Sequence, residues 1–164
     1  MLDRTLRDAD RTKRVTGYKV VGAVPSLSTS RYGGLTKTYV QHSASELTNS
    51  LLRFLGKRKS PGVFIINLFS INEDSDEETI GNLVCGYMQS RMLNTRFITH
   101  GVDFNTNSTQ YLLAKNITDF YTLQGEDILI VAYPPLSESS IPSALLHDAN
   151  VNILIASANH GWKT

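Results

Sequence analysis

Five carboxylates fall within six residues of this chain, at Glu73, Asp74, Asp76, Glu77 and Glu78. A run of that kind has three chemical uses. Asp74 and Asp76 alternate as Ca²⁺ ligands might, although the central glycine that a calcium loop needs for its sharp turn is absent. The same carboxylates at a helix N-terminus would favour the macrodipole, and Ser75 with Glu78 has capping-box spacing. A third use, steering of an anionic ligand, is excluded by sign, because like charges repel. Other reactive types are sparse. His42, His100, His147 and His160 share no metal-ligand spacing and read as surface or capping residues. Cys85 is the only cysteine, which excludes an internal disulfide and a cysteine-rich metal site. No G-x-S-x-G nucleophile elbow and no G-x-G-x-x-G dinucleotide loop occurs. His100 and Asp103 could form an acid/base pair only if a strand end brought them together, which closeness in sequence does not do. Asn107-Ser108-Thr109 and Asn116-Ile117-Thr118 match the glycosylation pattern, a match common by chance.

The elements that must position these residues alternate along the chain. At 164 residues, 41% hydrophobic and 19% charged, the chain has the size and composition of one soluble domain. A net charge of +1 carries no nucleic-acid footprint. No run reaches the roughly 18 apolar residues of a membrane span, and residues 1–17, a linker or short helix, lack the apolar core of a signal peptide. Residues 18–24 form a candidate strand closed by Pro25, and 26–38, rich in Ser, Thr and Gly, read as a loop. Ser43 and Glu46 form a capping box ahead of a helix that places Leu47, Leu51, Phe54 and Leu55 on one face. Gly56 and Lys57-Arg58-Lys59 suit its C-terminus. Apolar strands follow at 63–69, 127–132 and 151–156, with a fourth at 95–99, and helices at 77–91, 110–120 and 143–148. Ile80, Leu83, Val84, Tyr87 and Met88 mark the buried stripe of the first of these helices. This alternation predicts an α/β three-layer sandwich with a mostly parallel sheet over residues 18–164. Ligands in such sheets sit beyond the carboxyl ends of the strands, at 70–76, 100–109, 132–140 and 157–163.

Four landmarks, in order, resemble a known family. Val20-Val21-Gly22-Ala23-Val24-Pro25, Leu47-Thr48-Asn49-Ser50-Leu51-Leu52-Arg53, Ile128-Leu129-Ile130-Val131-Ala132-Tyr133-Pro134-Pro135-Leu136 and the helix–strand unit Ala144 to Ile155 run through most of the chain. Together they resemble the cytoplasmic P-loop-like domain of bacterial tyrosine kinases and polysaccharide co-polymerases, closest to the forms in Bacteroides-type bacteria. The resemblance implies a P-loop NTPase-like, Rossmann-like fold, cut short at its C-terminus. It also implies a place on the cytoplasmic face of the bacterial inner membrane, with membrane spans in flanking chain.

The positions that carry the family's chemistry differ. A working phosphate loop needs glycines, a lysine and a Mg²⁺-holding hydroxyl. The matching stretch is Asp74-Ser75-Asp76-Glu77-Glu78-Thr79, with Glu77 in the lysine position and no glycine in the loop. Ala132 stands where the Walker B acid would, and the second acidic pair expected after residues 95–99 falls on His100-Gly101-Val102-Asp103, of which only Asp103 is acidic. The seven tyrosines are scattered, without the terminal cluster that active kinases phosphorylate. The resemblance therefore implies a pseudo-kinase domain of an exopolysaccharide or capsule chain-length regulator, with no catalytic residues, metal or cofactor. Homo-oligomeric subunits, the polymerase machinery or an active kinase are its expected partners. Two alternatives stay open: an active ATP- and Mg²⁺-dependent tyrosine kinase with an atypical loop, or a metal- or ligand-responsive switch using the acidic run. Trp162, after the last strand, is either a core or hinge aromatic or a contact to base or subunit.

Overall fold

The computed structural model describes residues 9–24, 33–56, 62–71 and 77–157. Strands β1 (Phe64–Ser70), β2 (Thr95–Thr99), β3 (Ile128–Ala132) and β4 (Val151–Ile155) form one sheet in the order β2-β3-β1-β4, with every pairing parallel. The two central strands have the most continuous apolar sequences because both of their faces are covered. All five residues of β3 are buried, as are six of the seven of β1.

The two faces have separate cores. Phe64, Ile66, Leu68, Ile128 and Ile130 pack against helices α2 (Gly33–Leu55) and α3 (Glu77–Ser90) through Leu47, Leu51, Val84 and Met88. Ile65, Leu129 and Val131 pack on the other face against Tyr111 of α4 (Thr109–Leu112), Ile117 of a 3₁₀ turn (Ile117–Asp119) and Leu145 of α5 (Ser143–Asp148). Alternate strand residues thus serve opposite layers, and the molecule is the three-layer α/β sandwich the alternation predicts. Burial of each such large aliphatic side chain contributes about 1.5–3 kcal/mol.

Connectivity sets where the chain changes direction. From β1 the chain crosses β3 through α3 to reach β2, on one face. From β3 it crosses β1 through α5 to reach β4, on the other. The carboxyl ends of adjacent β1 and β3 are therefore the switch point of the sheet. The start of β4 is fixed to β1 by asparagines: Asn67 Nδ2 donates to Asn152 Oδ1 at 3.0 Å and to the Leu145 carbonyl at 3.3 Å, and Asn150 Oδ1 accepts from Ile65 N at 2.8 Å. The β2 edge is protected. Gln89 Nε2 donates to the Thr95 carbonyl at 2.9 Å, and Asp103 Oδ2 accepts from Thr99 N at 2.9 Å. Side chains thus occupy the outward groups at both ends of that short strand.

Several sequence expectations are corrected. Residues 18–24 form no strand; Val21 and Val24 pack against the α2–α3 core instead. The expected loop at 26–38 is helical from Gly33, so Ser43 and Glu46 lie inside α2 rather than capping it. The stripe continues upstream through buried Val40 and Ala44, which outweighs the turn-like composition. The single helix expected at 110–120 is two short pieces, capped by Ser108 and Asn116. Within residues 1–17, expected as a linker or short helix, an eight-residue helix α1 (Ala9–Thr16) is present. The basic run 57–59, Pro25 and Trp162 lie outside the described residues.

Candidate functional site

The switch point is the place to look for chemistry, and Ala132 lies there, with Glu78 tied to the neighbouring strand end through Thr99. Leu68 of β1 pairs with Ala132 of β3, and Ala132 pairs with Thr99 of β2. Of the loop that follows β1, Asp74, Ser75 and Asp76 lie outside the described residues. Glu77 opens α3 and is only 7% exposed, and its Oε1 has no hydrogen-bond partner among the described residues. A negative charge there favours the helix dipole but opposes any phosphate brought to the same end. Glu78 is exposed and accepts from Thr99 Oγ1 at 3.0 Å, tying α3 to the tip of β2. Thr79 lies in the first turn, half-buried.

Ala132 is fully buried, so the tip of β3 carries no group that could hold a metal or orient water. Beyond it the chain runs on alongside the end of β1. Pro134 and Pro135 are buried, Leu136 N donates to the Ser70 carbonyl at 2.9 Å, and Ser137 N donates to the Ile71 carbonyl at 3.1 Å. This strap prolongs the contact between the β1 and β3 segments past the sheet.

Rings fill the adjoining space. Phe104 lies 5.8 Å from Tyr111, 5.0 Å from Phe120 and 5.8 Å from Tyr133, centroid to centroid. Burial pushes the Tyr111 phenol up to about 12 and raises that of Tyr133 further, so both remain neutral donors. Sequence reasoning missed this cluster. The four rings come from separate loops and elements, and only the Tyr-Pro-Pro run after β3 hinted at a packed rather than open strand end.

The remaining candidates hold structural positions. Asp103 sits in the turn after β2 with Oδ2 on the Thr99 amide, so it is spent on the backbone. His42 lies 3.9 Å from Glu46, exposed on α2, and His147 Nδ1 contacts the Ser143 carbonyl at 2.7 Å. His100 donates its backbone N–H to Ala132 O. Cys85 is buried, and burial raises its thiol pKa, which disfavours the nucleophilic thiolate. Ser108 accepts from Tyr111 N and Asn116 from Thr118 N, so the two glycosylation-like triplets act as helix caps. Among the described residues no group of three or more His, Cys, Asp or Glu could hold a metal ion, and no helix is long and apolar enough to cross a membrane. No known protein family matches the chain, and no curated protein matches it significantly.

Proposed function

We propose that this is a non-catalytic, pseudo-kinase-like domain of an exopolysaccharide or capsule chain-length regulator, held at the cytoplasmic face of the bacterial inner membrane. It acts in subunit assembly or partner contact, with other copies of itself, the polymerase machinery or an active kinase as partner. The order of sequence landmarks supports the family. The observation that carries the non-catalytic reading is the carboxyl edge of the sheet. There Ala132, a buried methyl, ends β3 without the metal-orienting acid that a phosphoryl-transfer enzyme needs. Glu77 adds charge of the wrong sign.

The test is polysaccharide chain length in a producing strain. Deletion of residues 18–164 should alter the length distribution. Asp103→Asn, which keeps an acceptor for Thr99 N but removes the carboxylate, should leave it unchanged. An Asp103→Asn phenotype equal to the deletion would show that the acid works in catalysis.

A further inference from the structure

A second candidate site lies at the opposite end of the sheet, where β2 and β3 begin. A cleft of about 550 Å³ opens there between α3, the start of β2 and the segment that enters β3. Its walls include Asn82, Gly86, Thr95, Arg96, Gln124 and Glu126. Two of these are buried polar side chains with unused hydrogen-bonding atoms. Thr95 is 5% exposed and its Oγ1 has no partner; Glu126 is 9% exposed and its Oε1 has none. Buried polar atoms are almost always satisfied, so two in one cleft call for a ligand or ordered water.

Charge narrows the choice. Glu126 Oε2 accepts from Gln124 N at 2.6 Å, and Arg96 donates through one nitrogen to Gln124 Oε1. Gln124 thus stands between the two charges, and no ion pair joins them. The Arg96 guanidinium lies 6.0 Å from the Tyr121 ring centroid, and the buried Tyr121 hydroxyl is the donor that faces Glu126. An anion alone would face Glu126, and a cation alone would face Arg96. An added strand is disfavoured, because Gln89 occupies the outward carbonyl of Thr95 and Asp103 the outward amide of Thr99.

We propose that this cleft binds a small zwitterion of the free α-amino acid class, its ammonium on Glu126 Oε1 and its carboxylate on Arg96. Each charge then meets its opposite in a partly desolvated site, where charge-assisted hydrogen bonds are strongest. Gly86 forms part of the wall, and a Cβ built on it meets nothing within 4 Å. A side chain there would enter the cleft without disturbing α3.

Amide chemical shifts of the full chain test this with single probes: glycine, serine and glutamine against acetate, methylammonium and glycerol. The amino acids should move the signals of Gly86, Thr95 and Gln124, and the one-charge and uncharged probes should not. Glu126→Gln should weaken the amino-acid response about tenfold or more, as loss of a charge-assisted hydrogen bond does. Gly86→Trp should abolish it in a protein that keeps its remaining spectrum, which covers the case in which Glu126→Gln fails to fold. The proposal is overturned if no amino acid moves these signals, if acetate or methylammonium moves them equally, or if Gly86→Trp responds like the parent protein.

Discussion

Phe97 of β2 lies against Gly81 of α3 so closely that a Cβ at Gly81 would overlap the ring Cε2 and sit 2.7 Å from Cζ. The absence of a side chain at Gly81 sets how near the first turns of α3 come to β2. Replacement by alanine gains about 1 kcal/mol of helix propensity, but overpacking of this kind costs about 1–3 kcal/mol. Gly81→Ala should therefore destabilise the protein in urea unfolding. Phe97→Leu in the same chain should recover part of the loss, with a coupling of about 0.5–3 kcal/mol. Additive effects of the two changes would show that they do not touch.

Gly86, one and a half turns further along α3, gives the opposite expectation. A Cβ there meets nothing within 4 Å. Gly86→Ala should stabilise the fold by about 1 kcal/mol through propensity alone, read as a higher urea midpoint at unchanged slope.

Asn67 is fully buried, with its amide nitrogen donating to Asn152 Oδ1 and the Leu145 carbonyl. Asn67→Asp turns that donor into an acceptor facing two acceptors. An uncompensated buried charge costs about 3–5 kcal/mol, and the variant should lose stability on that scale at neutral pH. Its folded-state pKa is raised, so the protonated form suffers least below the unfolded carboxyl value of about 3.9, and the loss grows as pH rises. Unfolding at pH 4 and pH 7 should differ in that direction.

Tyrosine ionisation should divide by environment. Ser45 Oγ and an Arg91 nitrogen each donate to Tyr87 Oη at 2.7 Å, and these hydrogen bonds hold its pKa below the ordinary value. Its stabilising contribution is present above the unfolded pKa and lost as pH falls through the folded one. Tyr111, pushed up to about 12 by burial, behaves in reverse: its contribution is complete below the unfolded value and lost as pH rises toward 12. Phenolate absorbance should show Tyr87→Phe losing intensity below the ordinary tyrosine range, with the late phase intact.

The strands were legible because a strand covered on both faces must be apolar throughout, as Ile128 to Ala132 is. Helix α3 was legible because Val84 and Met88 keep helical spacing. The failures have physical causes. Val21 and Val24 offer the same apolar surface to a neighbouring strand or to a helix, and only the approach of Gly22 to Leu47 decides between them. Ser43 and Glu46 have capping spacing whether or not the helix has already begun. At the carboxyl edge, Glu77 and Ala132 could be placed from sequence order. The strap from Leu136 to Ser70 and the contact of Phe104 with Tyr133 are long-range and left no local pattern. Glu126 and Arg96 likewise come to the two sides of Gln124 only through folding.

Calorimetric titration of the intact chain with Mg-ATP tests the central claim most directly. The account predicts no saturable heat for the parent protein, and none for Glu77→Lys, because one lysine supplies neither the missing backbone donors nor an acid at Ala132. Saturable Mg-ATP binding by the parent chain, released by EDTA, would contradict it.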